Sequence, residues 1–448
     1  MDGTAQNNTD SANHTDAIQG WFGRIFPLSF FDSLKEDLEI IENRGIFTLR
    51  VTTWMMMMQR LCSGGSLATS LGELLQGNGR ELLEPCKRVR EGNISANTGG
   101  YNRARQKMPA AAARRIAGQS FEQLHQIQAG KGLRNRLFLL DGSSIRLANT
   151  AEVVETYPPA ENQNGASHWP VMRVAVMHHV VTALAMPPEF GPMYGKEAVS
   201  EQALAEPLID KLPPESVLIG DRNFGVFSVA WHAHSQGHQV LVRMTGARAR
   251  RLRGDLNAGD RNVVWQATRE DRRGHPAIPA EARIEGRLII TRPEGIDGNE
   301  DLYFFTTLGE PAREVAALYK ERWNIETDLR SIKEQVRLHT IEAQSPKMVA
   351  CELLMAITSY NLIRAVMTEA ARHVNLEPRS LSFSRSRAMF WGFARAAAHI
   401  QSAEDFDHHW RLLIRSIGQC KLYKRQRPPA PRAVWHKRQN FPDRKVQI

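Results

Sequence analysis

The chain has 448 residues, 42% hydrophobic and 24% charged, which suits a globular protein with a large core in two to four domains. Its net charge of +10 and pI near 9.6 favour a polyanionic partner. Cys62, Cys86, Cys351 and Cys420 lack CxxC spacing, and no run approaches the roughly 18 unbroken apolar residues of a membrane span, so a soluble cytoplasmic protein without disulfides or a membrane partner is expected.

Residues 1–20 read as a disordered leader, polar and without secretory character. Residues 21–130 have helical periodicity, and Met55–Met58 read as flexible core packing. Within them SLATSLGELLQ, a loop and SANTGGYNRARQKM predict two short helices. The second carries Tyr101, Asn102, Arg103, Arg105, Gln106 and Lys107 and is a candidate helix-turn-helix reader of DNA, although helical pairs that bind nothing share the pattern.

The pattern changes at Leu137. RLFLLDGSSIRL predicts a buried strand ending in Asp141, and PVMRVAVMHHVV and ALAMPPEF predict two antiparallel neighbours. A helix capped by Ser200, strand SVLIGD ending in Asp221, a helix across Val226–Ser235 and strand QVLVRM follow. Adjacent strands followed by helix-separated strands are the order of a ribonuclease-H-like α/β core, here over 131–245 and 301–375. Residues 246–300, with NVVWQA and GRLIITR, read as a β-rich insertion that interrupts the core. One long helix is expected from Pro311, another over 346–368, and further helices over 376–420 as a candidate dimerisation region. The tail, 421–448, holds nine Lys or Arg against one acid, Asp443, interleaved with Tyr423, Trp435 and Phe441, a composition suited to a phosphate backbone. The fold class is therefore α/β: a ribonuclease-H-like mixed sheet with flanking helices, the β-rich insertion, and helical N- and C-terminal regions.

Chemistry concentrates in LYKERWNIETDLRSIKEQ. At about 100° per residue, Tyr319, Arg322, Glu326 and Lys333 fall within an arc of roughly 60°. Leu318, Ile325, Leu329, Ile332 and Val336 form an apolar stripe beside them. That arrangement sets a carboxylate at the edge of a core, flanked by two cations and a phenol. Asp141 and Asp221 each follow a short apolar strand, at the carboxyl edge where open α/β sheets bind ligands. Either aspartate alone is an ordinary turn former. Among the aromatics, Trp323 neighbours the polar stripe and is a candidate for stacking on a displaced base, with Trp265 a weaker one. His232, His234 and His238 lack a fourth ligand and read as solvent-facing, while neighbours His178 and His179 on a strand point to opposite faces.

The spacing Y-(2)-R-(3)-E-(6)-K resembles the signature of the insertion-sequence-four family of DDE transposases. DGSS at Asp141–Ser144 and DRNFG at Asp221–Gly225 resemble that family's first two motifs, with Asn223 where members usually carry Gly. Asn is the next best residue at positive φ. Trp323 and Asn361 sit in family-like surroundings. The resemblance implies metal-dependent cleavage and joining of DNA strands. Asp141, Asp221 and Glu326 would be both the catalytic residues and the ligands of two Mg²⁺ ions, with Mn²⁺ a plausible substitute. Tyr319, Arg322, Lys333 and Trp323 would contact DNA. The partners implied are double-stranded DNA, as terminal inverted repeats and as target DNA, and a second copy of the chain, as a homodimer in a synaptic complex; residues 21–130 are the candidate DNA-end-binding region from their own helical reading. A DNA hairpin intermediate and a nucleoid-associated, cytoplasmic location also follow from the resemblance. Two alternatives share these residues: another ribonuclease-H-like nuclease or resolvase, and a catalytically inactive DNA-binding protein of transposase descent.

Overall fold

The computed structural model describes residues 20–42, 45–62, 65–128, 130–163, 165–291, 301–338, 340–400 and 402–422. The leader, most of the basic tail and residues 292–300 of the insertion lie outside the described residues.

Ten strands among the described residues form one mixed sheet, which bears out the α/β expectation. They are β1 (Leu137–Leu147), β2 (Pro159–Asn162), β3 (Gly165–His179), β4 (Glu189–Pro192), β5 (Val217–Gly220), β6 (Gln239–Met244), β7 (Gly259–Gln266), β8 (Arg283–Thr291), β9 (Leu302–Thr306) and β10 (Thr340–Ile341). The order is β2-β3-β1-β5-β6-β9-β8-β7, with β4 on β3 and β10 on β1. At its centre β1, β5 and β6 run parallel, separated by the helices Glu201–Ile209 and Phe227–Ser235, as parallel strands require. Leu137, Leu139, Val217, Ile219 and Leu241 are fully buried on one face of this sheet, and Phe138, Leu140, Leu218, Val240 and Val242 on the other. Burial on both faces explains the unbroken apolar runs.

Strand β1 does not stop at Asp141. It continues to Leu147 because antiparallel β3 pairs with it as far as Arg146, whereas only its first four residues have β5 beside them. Its far end pairs with β10 through Arg146 and Leu147. Asp141 thus sits where the β5 side of β1 becomes open. The strands of the expected insertion, β7 and β8, extend the same sheet through β9 and do not stand apart. Trp265 is core: it is 8% exposed and its ring packs against Phe227 and Phe305.

The helix expected over 346–368 runs from Pro346 to His373 and is the axis of the helical layer. It is long and apolar enough to cross a membrane, yet 94% of its most apolar stretch is buried inside the fold. A helix apolar all round belongs in a core. The helices Leu49–Leu61, Ala110–Gln128 and Ala403–Gly418 pack on it. Met55–Met58 are all buried, as expected of core packing. Glu352 ties the N-terminal helices to it by accepting from Arg60 at 2.5 Å and Arg105 at 2.6 Å. That pairing corrects the reading of Gly99–Lys107 as presenting six readers. Tyr101 and Arg105 are buried, and Arg103, Gln106 and Lys107 are the residues left exposed. Two further short helical segments, Arg80–Leu82 and Lys87–Arg90, also separate it from Leu67–Leu75.

Candidate active site

Register brings the two aspartates together. Leu140 pairs with Gly220 on neighbouring parallel strands, so Asp141 and Asp221 are the next residues along each. Adjacent strands lie about 4.8 Å apart. The Gly142 N–H donates to Asp141 Oδ1 at 2.8 Å, and the Asn223 N–H donates to Asp221 Oδ1 at the same distance. Burial pushes the Asp141 carboxyl up to about 6 despite the Gly142 bond. The charges of Asp221 and Glu201 push the same way, and Arg322 opposes them.

The expected long helix follows one path but in three pieces. Ala312–Lys320 passes through i→i−3 bonds at Glu321 and Arg322 into Trp323–Arg330, then widens into a π turn over Ser331–Gln335. Tightening before and widening after leave the polar stripe on one side, and π turns are frequent at functional sites. Ile325, Ile332 and Val336 are buried, as the apolar stripe requires. Strand β10, just beyond, pins this segment alongside β1.

Arg322 stands between two of the acids. Its Nη1 lies 4.0 Å from Asp141 Oδ2 and its Nη2 3.5 Å from Glu326 Oε1. A planar guanidinium is small, so these carboxylates lie within about 10 Å of each other. Lys333 faces Asp141, whose charge works against the burial that lowers the pKa of the ammonium. The Tyr319 hydroxyl is buried beside Arg322, which is placed to hydrogen-bond it, and Arg243 and Asp221 are near enough to act on its charge. Trp323 is 53% exposed, with the Arg322 guanidinium 5.2 Å from its ring centroid.

Among the described residues no three His, Cys, Asp or Glu side chains stand close enough to hold a metal ion as they are. The residues nevertheless fit a hard divalent cation. Asp141 and Asp221 offer neighbouring oxygens that repel each other, and Glu326, with its side chain 46% exposed, has room to move.

The turn after Asp221 departs from expectation. Asn223 is not in the left-handed region. Glycine is required instead at Gly225, where a Cβ would lie 2.0 Å from the Arg243 carbonyl oxygen. Arg248, at the start of Gly246–Arg253, braces the turn by donating to the Arg222 and Gly225 carbonyls at 3.1 and 3.0 Å. Asn361 is not at the site. Its side chain is clipped to the backbone of Ala185, accepting from the N–H and donating to the C=O at 2.8 Å each.

Two residues escaped the sequence reading. Glu201 lies against Asp141 and Asn223, and as an acid in a helix's first turn it looks like an ordinary dipole partner. Asp328 is fully buried behind Glu326, bonded to Arg364 and Arg379. Its signal was available: it falls three residues after Ile325, on the apolar stripe.

Residues 133–362, slightly more than half of the chain, match the family described as Transposase DDE domain. The chain is also 26% identical over 299 residues to the Transposase InsG for insertion sequence element IS4 of Escherichia coli (strain K12). That similarity covers 64% of this chain and 65% of the relative's own length. With a family match spanning the central strands of the sheet, both aspartates and the stripe-bearing helix, the chain belongs to the DDE transposases.

Proposed function

We propose that this transposase cleaves DNA at the terminal inverted repeats of its element and joins the freed 3′-OH ends to target DNA. The observation that carries the reading is the placement of Asp141 and Asp221 side by side at the open edge of β1, with Arg322 linking Asp141 to Glu326.

In this reading Asp141, Asp221 and Glu326 would hold two Mg²⁺ ions, or Mn²⁺ in their place. When bound, such ions stabilise the attacking and leaving oxygens of an in-line displacement at phosphorus. The protein's own groups do the rest. Arg322 leaves its two carboxylates for the phosphate, which it grips through a bidentate fork, and Lys333 adds a point charge. The buried Tyr319 hydroxyl, beside Arg322, donates to a phosphate oxygen. Trp323, exposed beside Arg322, stacks on a base drawn out of the duplex. Two copies of the chain would pair the element's ends.

The deciding experiment is strand transfer: a pre-cleaved element end bearing a 3′-OH, Mg²⁺ and supercoiled target. Joined products are expected. Cleavage of end DNA without joining would favour a nuclease or resolvase, and binding without either would favour an inactive descendant. A further expected result concerns residues 421–448. Deleting them should weaken DNA binding with little sequence bias and flatten the slope of log affinity against log salt, since nine cations are removed. An unchanged slope would mean that the tail does not touch phosphates.

A further inference from the structure

We infer that Glu201 and Gln202 are positioning residues, which clasp Asn223 and through it set the carboxylate of Asp221. The inference rests on the site proposed above and adds a feature that the two sequence motifs do not contain.

The contacts run in one chain. Gln202 Nε2 donates to both the backbone oxygen and Oδ1 of Asn223, at 2.8 and 2.7 Å. Asn223 Nδ2 donates to Glu201 Oε2. Both ends of the Asn223 carboxamide are therefore held from one helix turn, whose start is fixed by Ser200 Oγ accepting from Ala203 N at 3.0 Å. The N–H of the same Asn223 donates to Asp221 Oδ1 at 2.8 Å. Asn223 therefore has one contact toward Asp221 and three toward the clasp.

Space is kept for this arrangement on the other strand. A Cβ on Gly142 would lie 2.2 Å from the Glu201 carboxyl carbon and 2.4 Å from its Oε1. The glycine that follows Asp141 is thus the floor on which Glu201 sits, and one side chain joins the DG and DRNFG motifs. A first-turn acid that only balanced the helix dipole would need neither the Asn223 bond nor the room above Gly142. On the opposite side Arg248 holds the flanking carbonyls, so the Asp221 turn is gripped from both directions.

The test is Mn²⁺ binding to the full chain, read as loss of the free-ion EPR signal, in Glu201→Ala, Glu201→Gln, Asn223→Gly and Glu201→Ala/Asn223→Gly. Loss of such a supporting hydrogen bond is expected to weaken Mn²⁺ binding by about tenfold in Glu201→Ala. Glu201→Gln keeps an oxygen for Asn223 Nδ2 and should stay within about threefold of wild type. In the Asn223→Gly background the Gln202 bond to the backbone oxygen survives but Glu201 has no Nδ2 to hold, so Glu201→Ala should add less than about twofold. Equal damage from Gln and Ala, an undiminished Glu201→Ala effect beside Asn223→Gly, or no effect of Glu201→Ala would each overturn the clasp. Failure of the reaction proposed above is separable. It would appear as a wild-type chain that binds Mn²⁺ but neither cuts nor joins DNA, with the clasp still readable from the four variants.

Discussion

Replacing Asp141 by Asn is expected to cut strand cleavage and joining by at least about 10³-fold, because the β1 carboxylate beside Asp221 would be lost from the metal-binding set. Binding of end DNA should stay within about twofold, since Arg322 and Lys333 remain. The same substitution should stabilise the metal-free protein, and the sign follows from the pKa. Burial raises Asp141 from 3.8 to about 6, with Asp221 and Glu201 adding repulsion. Between those values the folded chain keeps a proton that the unfolded chain has released. Stability therefore falls as pH rises through that interval and stays lower above it, by about 3 kcal/mol. Asn cannot ionise and still offers an oxygen to the Gly142 N–H. In chelator at pH 8, Asp141→Asn should unfold at higher urea than wild type, and below pH 4 the advantage should vanish. A variant that still cleaves would remove Asp141 from the reaction. One with no gain at pH 8 would mean that its charge is not strained by burial.

The difference between what was legible and what was not follows sequence distance. Asp141 and Asp221 could be read because LFLL and VLIG are unmistakable buried strand segments and each is followed directly by its aspartate. The stripe could be read because helical periodicity is local. What failed needed a partner elsewhere. That β1 continues past Asp141 depends on β3 pairing with it from Phe138 to Arg146. That β7 and β8 join the main sheet depends on β9, which lies beyond residues 292–300. Arg105 looked like a reader in its own helix, but its partner Glu352 lies on the central helix. The π turn that carries Lys333 leaves the apolar spacing almost unchanged, so the pattern does not announce it.

The second large effect is expected at Asp328, which holds the rear of the helix that carries Glu326. Its two oxygens lie 2.9 Å from Arg364 and 2.8 and 2.7 Å from Arg379, and His178 Nδ1 is 3.8 Å away. The guanidiniums reach further: Arg364 donates to the Tyr360 hydroxyl at 2.9 Å, and Arg379 donates to the carbonyls of Val180 and His179. One carboxylate thus joins the motif helix, the central helix, β3 and the segment after the central helix. Burial pushes His178 down to about 4 despite the pull of Asp328, so at neutral pH the ring is uncharged and Asp328 is the counter-charge to two cations. Asp328→Ala strands those cations in the core, and breaking a buried pair from one side costs about 3–5 kcal/mol. The expected result is a urea midpoint well below wild type and a loss of cleavage, because the Glu326 turn loses its anchor. Replacing Arg364 by Met in the same chain should recover part of that stability by removing one stranded charge, whereas a variant lacking only Asp328 should not recover. Equal midpoints for Asp328→Ala and wild type would mean that the helix is held by its apolar stripe alone, with Ile325, Ile332 and Val336 sufficient to aim Glu326 at the sheet edge.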